Sequence, residues 1–571
     1  MNEQTYLEHL VKLREKNWPK NLPRESHYPF GELLITDYLK KWAETQPNKP
    51  CIIWYGEEIT FKQLDDLSDK FAAFLSESGM RKGDRVAVFL PNCPQFLIAF
   101  YGILKIGCIH VPVNPMFKKQ ELLYELNDTQ AELIVTTDYL YTLVQEVKED
   151  TSVKIVVTTS LRDYIPEFPT IPVHQSLLVC EDIDYSTTDV IEWKSIVNRQ
   201  STSYPPVKLS LDDIAALNYT GGTTGLPKGC EHTQRNMIYT CATASTFTSK
   251  FKMDDVVMAY FPSFWIAGQN VCVLLPVFTG ATHIILGRWD AEAVLQGIAK
   301  YKVTHIGGVL DNFVELMNRE DITQYNLSTI KEISVTSFVK KLNQEYRKKW
   351  RELSGSTMRE MAYGMTETHT FDTFTTHMQD DDMDLKSQPV FSGLPMPGTE
   401  LKIVSFETGE IVPLDVEGEI VIKTPSLLKS YWNKPEETKQ SIKNGWLHTG
   451  DVGVIDQDGY LHFLGRRKEM LKVNGMSVSP PEIESIICRH PAVVGCGVIA
   501  KKHQEKGEVP VAFIQIEEEH QSTISEEDFQ KWCHDQMSVY KVPIVSFIDK
   551  LPMTATGKVK KEELKKYLLR V

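Results

Sequence analysis

The chain has 571 residues, too many for one simple core, so at least two domains are expected, each burying its own apolar face. Its 62 Lys and Arg against 76 Asp and Glu give a formal net charge of −14, and no basic run or basic helix stands out, so no DNA or RNA partner is expected. The ten cysteines are widely spaced, with no Cys-x-x-Cys pair and no His cluster at zinc spacing, a usage that reads as reduced thiols in a cytoplasmic protein.

Residues 1 to about 35 read as a polar preamble, charged throughout and without the apolar stretch of a signal peptide. Strand-like runs follow at 51–55 (CIIWY), 85–90 (RVAVFL), 132–137 (ELIVTT) and 153–159 (VKIVVTT). Between the first two, Phe61, Leu64, Leu67, Phe71 and Phe74 recur at helical spacing and put one apolar stripe on a helix. This alternation predicts an α/β fold with largely parallel sheet. The longest apolar stretches, Phe96 to Val113 and Val271 to Leu286, are interrupted by Lys105, His110, Pro276 and Thr279, and read as core rather than membrane spans. The acidic stretch QDDDMDLKSQP (379–389) reads as a solvated loop.

After 463–470 (FLGRRKEM) the pattern changes to a smaller unit. It holds a helix at PPEIESIICRH, strands at AVVGCGVIA and VPVAFIQIEE, and a helix opened by a capping box from Ser525 to Asp528. A boundary is expected at Arg466, dividing the chain into 1–466 and 467–571.

Chemistry concentrates first at 219–230, YTGGTTGLPKGC. A Walker loop needs a hydroxyl directly after its lysine, but Gly229 and Cys230 follow Lys228, so that reading fails. Phosphate binding survives on physical grounds: glycines let backbone N–H groups converge on an anion, Thr220, Thr223 and Thr224 add hydroxyls, and Lys228 adds charge. Further segments follow in chain order: AYGMTET (362–368), GLPMPGTE (393–400), WLHTGDVG (446–453), GRRKEMLKVNGMSVSPPEIE (465–484) and LPMTATGKVKK (551–561).

Together with the loop, these segments resemble the motifs of the adenylate-forming superfamily, and the likeness runs from about residue 30 to 571. The resemblance implies an α/β fold: a large N-terminal domain of parallel sheets with helices plus a small β subdomain, followed by a small mobile C-terminal α+β domain. It implies two half-reactions, formation of an acyl-adenylate from a carboxylic acid and ATP with Mg2+, then transfer of the acyl group to coenzyme A.

The resemblance also implies roles. Thr220, Gly221, Gly222, Thr223, Thr224, Gly225 and Lys228 would hold the β- and γ-phosphates, Tyr363 would stack on adenine, Thr366 would bond the α-phosphate and Glu367 would bind Mg2+. Asp451 would take the ribose hydroxyls, with Arg466 as a further nucleotide contact. Lys558 would stabilise charge in the first half-reaction, Lys468 would be the hinge, and Gly475 would line the pantetheine tunnel.

The acyl pocket would involve Trp265, Gly268, Leu310, Val335, Thr336 and Gly364, and here the chain departs from the family pattern. Trp265 in PSFWIAG stands where a histidine is usual, Val335 and Thr336 in SVTSFV are bulkier than usual and would narrow the channel or reshape it, and Leu310 and Asp311 in GGVLDNF replace a proline and a small residue. Asp311 is expected on the surface or paired, because a bare carboxylate against an acyl chain is costly. With the apolar segment NVCVLLPVF behind the pocket, these features favour a medium- or long-chain fatty acid, ahead of an aryl acid, a carrier-loading enzyme or an inactive nucleotide-binding scaffold. A monomer or homodimer with at most peripheral membrane contact is expected.

Overall fold

The computed structural model of the chain describes residues 2–186, 189–200, 202–220, 226–337, 340–386, 390–473, 476–503, 506–520, 523–554 and 557–570. Two seven-stranded sheets carry the N-terminal domain. One runs in the order Ile191–Glu192, Ile155–Thr159, Leu133–Thr137, Arg85–Phe89, Ile109–Pro112, Ile214–Tyr219 and Gly229–Thr233, parallel except for the last, antiparallel pair. The other runs Met358–Glu360, Glu332–Thr336, His305–Val309, Val256–Ala259, Thr282–Ile285, Pro50–Trp54 and Glu57–Thr60, parallel except for the final hairpin. The expected strands at 51, 85, 132 and 153 are all present, but the first belongs to the second sheet. Because Pro50–Trp54 precedes the whole first sheet in sequence, the first sheet is inserted within the second, which is not one chain segment.

One continuous core joins them, with Ile52 and Ile284 of one sheet and Val86 and Val135 of the other in the same buried cluster. The expected helix spans Phe61–Glu77 and starts at a capping box, in which Gln63 N donates to Thr60 Oγ1 at 3.1 Å and Thr60 N donates to the Gln63 side chain at 2.8 Å. Phe61, Leu64, Phe71 and Phe74 are buried, and Leu67 packs against the core from its edge. Its neighbour, Pro94–Lys105, is apolar on every face and buried accordingly. A Cβ at Gly102 would stand 2.9 Å from the Ser68 carbonyl oxygen, so only glycine permits this helix contact. Lys105 is tolerated because Asp65 and Asp69 each lie 2.6 Å from its ammonium. Among the described residues, no helix is long and apolar enough to cross a membrane.

A third, antiparallel sheet orders Thr373–Phe374, Val390–Pro395, Leu461–Arg466, Trp446–Ile455, Gly418–Lys423 and Glu400–Val404. The chain then passes through the short turn Arg467–Glu469 into the small C-terminal domain. There Met476–Val478, Leu471–Val473, Gly507–Ile516 and Val493–His503 form an antiparallel sheet, with Ile544–Phe547 added in parallel. Helices Pro480–Ile487 and Glu526–Gln536 flank it, the second capped by Ser525 as expected.

The polar preamble holds a helix, Glu3–Lys16, capped by Asn2, with Tyr6 buried and Glu3 paired to Lys402 at 3.0 Å on the third sheet. Its polarity reflects an exposed outer face. One expectation is overturned: the acidic stretch is not simply solvated. Arg347, itself buried, holds Asp384 through two nitrogens at 2.8 and 2.6 Å and Asp382 through one at 2.8 Å, and Asp384 is buried. The partner lies 37 residues upstream, on the helix Gln344–Ser354, where sequence patterning does not reveal it.

Removing one member of such a pair leaves a buried charge uncompensated. Arg347→Met is therefore expected to destabilise the protein by about 3–5 kcal/mol. A urea unfolding curve measures this, and the Arg347→Met/Asp384→Asn double variant is expected to recover part of the loss.

Candidate active site

Functional side chains gather where the C-terminal ends of the parallel strands meet the third sheet and the C-terminal domain. Tyr363 follows strand Met358–Glu360, and its hydroxyl donates to Asp451 Oδ2 at 2.5 Å. Asp451 and Arg466 face each other across the antiparallel pair Trp446–Ile455 and Leu461–Arg466, with Arg466 Nε 2.7 Å from Asp451 Oδ1. Burial pushes the Asp451 carboxyl up to about 6, against the pull of Arg466. The Tyr363 ring packs against Phe463, 5.7 Å between centroids.

Lys558 comes from the far end of the chain and lies within electrostatic reach of Arg466, Glu469 and Asp451. Its side chain is exposed, but the surrounding protein and the Arg466 charge hold the ammonium below the ordinary lysine value. Its backbone closes a turn on Thr554, donating to Thr554 Oγ1 at 3.0 Å and accepting from Thr554 N at 2.7 Å. Lys561 fixes this segment to the junction, at 3.3 Å from Glu469 and 2.9 Å from Glu484. Lys468 stands exposed in the turn Arg467–Glu469 between the two domains.

On the opposite side, hairpin Ile214–Tyr219/Gly229–Thr233 presents the glycine-rich loop at its tip. Thr220 N donates to Lys228 O at 2.9 Å, closing the base of the loop. Gly221, Gly222, Thr223, Thr224 and Gly225 lie outside the described residues, as does Gly475. The Lys228 ammonium sits over the Tyr431 ring, 3.9 Å from its centroid, and the Tyr431 hydroxyl donates to Glu367 Oε1 at 2.9 Å. Lys228, Tyr431 and Glu367 thus form one chain of contacts. Thr366 and Glu367 occupy the tight turn Thr366–Thr368.

After this turn the backbone is strained: His369 and Thr370 have φ of 58° and 93°, the second unusual for a β-branched residue. Gly364 is what admits the strained loop, since a Cβ there would stand 1.3 Å from Thr370 O. Beneath lies Asp372, fully buried and bonded by the Thr368 hydroxyl; burial pushes its carboxyl up to about 8.

The residues expected to form the acyl pocket divide. Trp265 is half-buried and packs edge-on against Phe264, and its carbonyl accepts Gln269 N at 2.7 Å as a π-helical turn begins. Gly268 packs on the Pro262 carbonyl, where a Cβ would come to 1.9 Å. Leu310 and Val335 are completely buried in the core cluster. Side chains alternate along strand Glu332–Thr336, so Glu332, Ser334 and Thr336 face one side and Val335 the other. Val335 therefore cannot narrow a channel on the Thr336 side, a correction to the sequence-based expectation. Thr336 donates to Met361 Sδ at 3.2 Å. Asp311 accepts the Lys340 backbone N–H at 3.4 Å on each oxygen, so it is paired as expected. Of the segment NVCVLLPVF, Cys272 to Phe278 are core, and Val271 alone lines the small cavity beside Met361 and Ala362.

With this geometry in place, comparison with known proteins decides the family. Residues 39–432 match the family described as AMP-binding enzyme, and residues 482–558 match the AMP-binding enzyme C-terminal domain. The chain belongs to the AMP-binding enzyme family. It is 33% identical over 554 residues to the long-chain-fatty-acid–CoA ligase of Bacillus subtilis (strain 168), covering 96% of each chain. It is 30% identical over 529 residues to the 4-coumarate–CoA ligase of Pinus taeda, covering 91% of this chain and 92% of that one. Its fold superposes on the crystal structure of the anthranilate CoA ligase AuaEII in complex with anthranoyl-AMP with a TM-score of 0.80, at 26% identity and with 96% and 98% of the two chains covered. The fold is that of an adenylate-forming enzyme.

Three participants escaped the reading of the sequence: Tyr431, Glu469 and Lys561. Tyr431 sits in a stretch of ordinary composition, Glu469 and Lys561 lie within motif segments that assign them no role, and only the spatial partner marks each. For Asp372, whose folded-state value lies above that of the unfolded chain, protonation favours the folded form. The contribution of Asp372 to stability is expected to be fully present below about pH 4 and to be lost as pH rises through about 8. Unfolding curves at pH 5 and pH 8.5 test this, and Asp372→Asn is expected to flatten the difference.

Proposed function

We propose that the protein is an acid–CoA ligase: it joins a carboxylic acid to the AMP moiety of ATP with release of pyrophosphate, then transfers the acyl group to coenzyme A. The observation that carries this reading is the convergence of Tyr363, Asp451, Arg466 and Lys558, drawn from four segments and two domains, onto one point. A nucleotide-binding scaffold would have no use for a C-terminal lysine at that point.

On this reading, Asp451 accepts the ribose hydroxyls, Tyr363 lies against adenine and Thr366 bonds the α-phosphate. Lys228 and the loop from Thr220 to Gly225 take the leaving phosphates. As the acid attacks phosphorus, negative charge grows on the α-phosphate oxygens, and Lys558 meets it. Among the described residues, no cluster of three or more His, Cys, Asp or Glu could hold a metal by itself. A single carboxylate, Glu367, oriented by Tyr431, suits Mg2+, which takes one or two protein carboxylates and completes its shell with phosphate oxygens and water. Bound there, Mg2+ would neutralise the polyphosphate. The thioester half then requires Lys558 to withdraw, and we assign the rotation to Lys468 in the exposed turn after Arg466, with 1–466 and 467–571 as the two bodies and Gly475 beside the entering thiol.

For the acid, Phe251, Val257, Val271, Ile306 and Met361 around the cavity next to Ala362 support an aliphatic chain, as does the likeness to the Bacillus subtilis ligase. We therefore favour a fatty acid over an aryl acid. AMP release with ATP and Mg2+ is expected for saturated acids, to depend on coenzyme A, and to be weaker for benzoate and coumarate. Lys558→Ala is expected to lower adenylation by roughly 100-fold or more while ATP still binds. Unchanged turnover in that variant would refute the assignment.

A further inference from the structure

The cavity beside Ala362 has a particular construction. Its wall is one face of three neighbouring parallel strands, whose register sets side chains in rows: His305 beside Glu332, then Gly307 beside Ser334 and Arg359, then Val309 beside Thr336. Met361 and Ala362 close the row nearest Tyr363, whose hydroxyl meets Asp451. The nucleotide end and the far end are thus separated by four residues of strand, about 13 Å. Gly307 and Ser334 keep the middle row small, and Phe251, Val271 and Phe371 cover the slot, which in this conformation encloses about 30 Å³.

The far end is ionic. Arg359 is rooted in the middle row and reaches back to the far one: it is 5% exposed, donates to the Thr248 carbonyl, and brings its Nε to 3.7 Å from Glu332 Oε2 without completing a hydrogen bond. Lys250 holds the other oxygen of Glu332 at 2.5 Å and lies 3.3 Å from His377 Nε2. His305, next to Glu332, is kept neutral by burial, and its Nδ1 is 3.8 Å from Asp255, which Lys331 approaches at 2.9 Å. Thr248, Glu332, His305 and Arg359 all line the cavity.

Resting on the ligase reading above, we propose that the Arg359–Glu332 pair is the stop of the acyl pocket, and that the enzyme's acid is a short- to medium-chain saturated acid. An alkyl chain can displace the aromatic and aliphatic cover, whose side chains have alternative rotamers. It cannot pass the pair without parting the buried Arg359 guanidinium from the partly buried Glu332 carboxylate, and burying one more methylene does not offset a buried guanidinium left without its counter-charge. Gly307 and Ser334 provide the width, and Arg359 sets the length. The pair acts as a specificity-determining element, away from the reacting atoms.

The experiment is a chain-length profile of kcat/KM for saturated acids from butyrate to palmitate, with the ω-carboxylated acid of each length alongside. In the natural protein the profile is expected to peak at short or medium length and fall steeply beyond. In the Arg359→Met/Glu332→Gln double variant, which removes both charges at nearly constant volume, the ratio of kcat/KM for a long acid to that for a short acid is expected to rise by about tenfold or more. Ser334→Leu, which fills the middle row and leaves the pair intact, is expected to move the optimum to shorter acids, and it tests the geometry even where the double variant fails to fold. An optimum at palmitate in the natural protein overturns the stop while leaving the ligase reading standing. So does an unchanged profile in the folded double variant, or a preference for the ω-carboxylated acids, in which case the guanidinium would recognise the chain end. Turnover of no saturated acid at any length overturns the ligase reading for aliphatic acids together with the stop.

Discussion

The buried carboxylate of Asp451 is the joint on which this structure turns. It is nearly inaccessible, yet one oxygen takes the Tyr363 hydroxyl and the other faces the Arg466 guanidinium. Tyr363 continues a strand of the second parallel sheet, Asp451 belongs to the antiparallel sheet, and Arg466 is the last strand residue before the chain leaves for the C-terminal domain. Three layers are thereby registered on one charge. A buried carboxylate with fewer partners would be costly, so the position of each element constrains the other two.

Around that joint the protein places its least relaxed parts. The positive φ of His369 and Thr370, the glycine that admits the Thr370 carbonyl, and the protonation-prone Asp372 all fall within ten residues of Tyr363. Strain of this kind persists only where surrounding packing over-determines it, and here the rigid sheet ends supply that packing. The C-terminal domain meets the site differently, through long charged side chains: Lys561 on Glu469 and Glu484, and Lys340 on Glu517 at 3.4 Å. Such contacts can be exchanged for water at modest cost, as the domain rotation proposed above would require.

The pocket follows from strand periodicity more than from residue type. Alternation along Glu332–Thr336 sends Val335 into the core and leaves Ser334 and Thr336 to shape the slot, so the residue that seemed bulkiest in the sequence has no bearing on its width. Cys272 to Phe278 serve as core behind the cavity, and of that apolar segment Val271 alone reaches its lining.

Much was legible beforehand for identifiable reasons. The strand runs at 51, 85, 132 and 153 are short, β-branched and bounded by turn residues, and the helix at 61–77 carries its cap in Thr60 and Gln63, so local chemistry alone specified them. The family motifs were legible because phosphate, ribose and metal each demand particular residue types at fixed spacing. Pairings between distant segments were not. Asp384 meets Arg347, Tyr431 lies between Lys228 and Glu367, and Arg359 stands over Glu332, each through contacts that leave no periodicity behind. The sequence by itself determined the elements, the order of the motifs and the kind of chemistry, since those rest on short-range preferences. Which strand joins which sheet, which acids are buried and which side chains line the cavity beside Ala362 were decided by tertiary structure alone, because burial and ion pairing exist only once separate segments have been brought together.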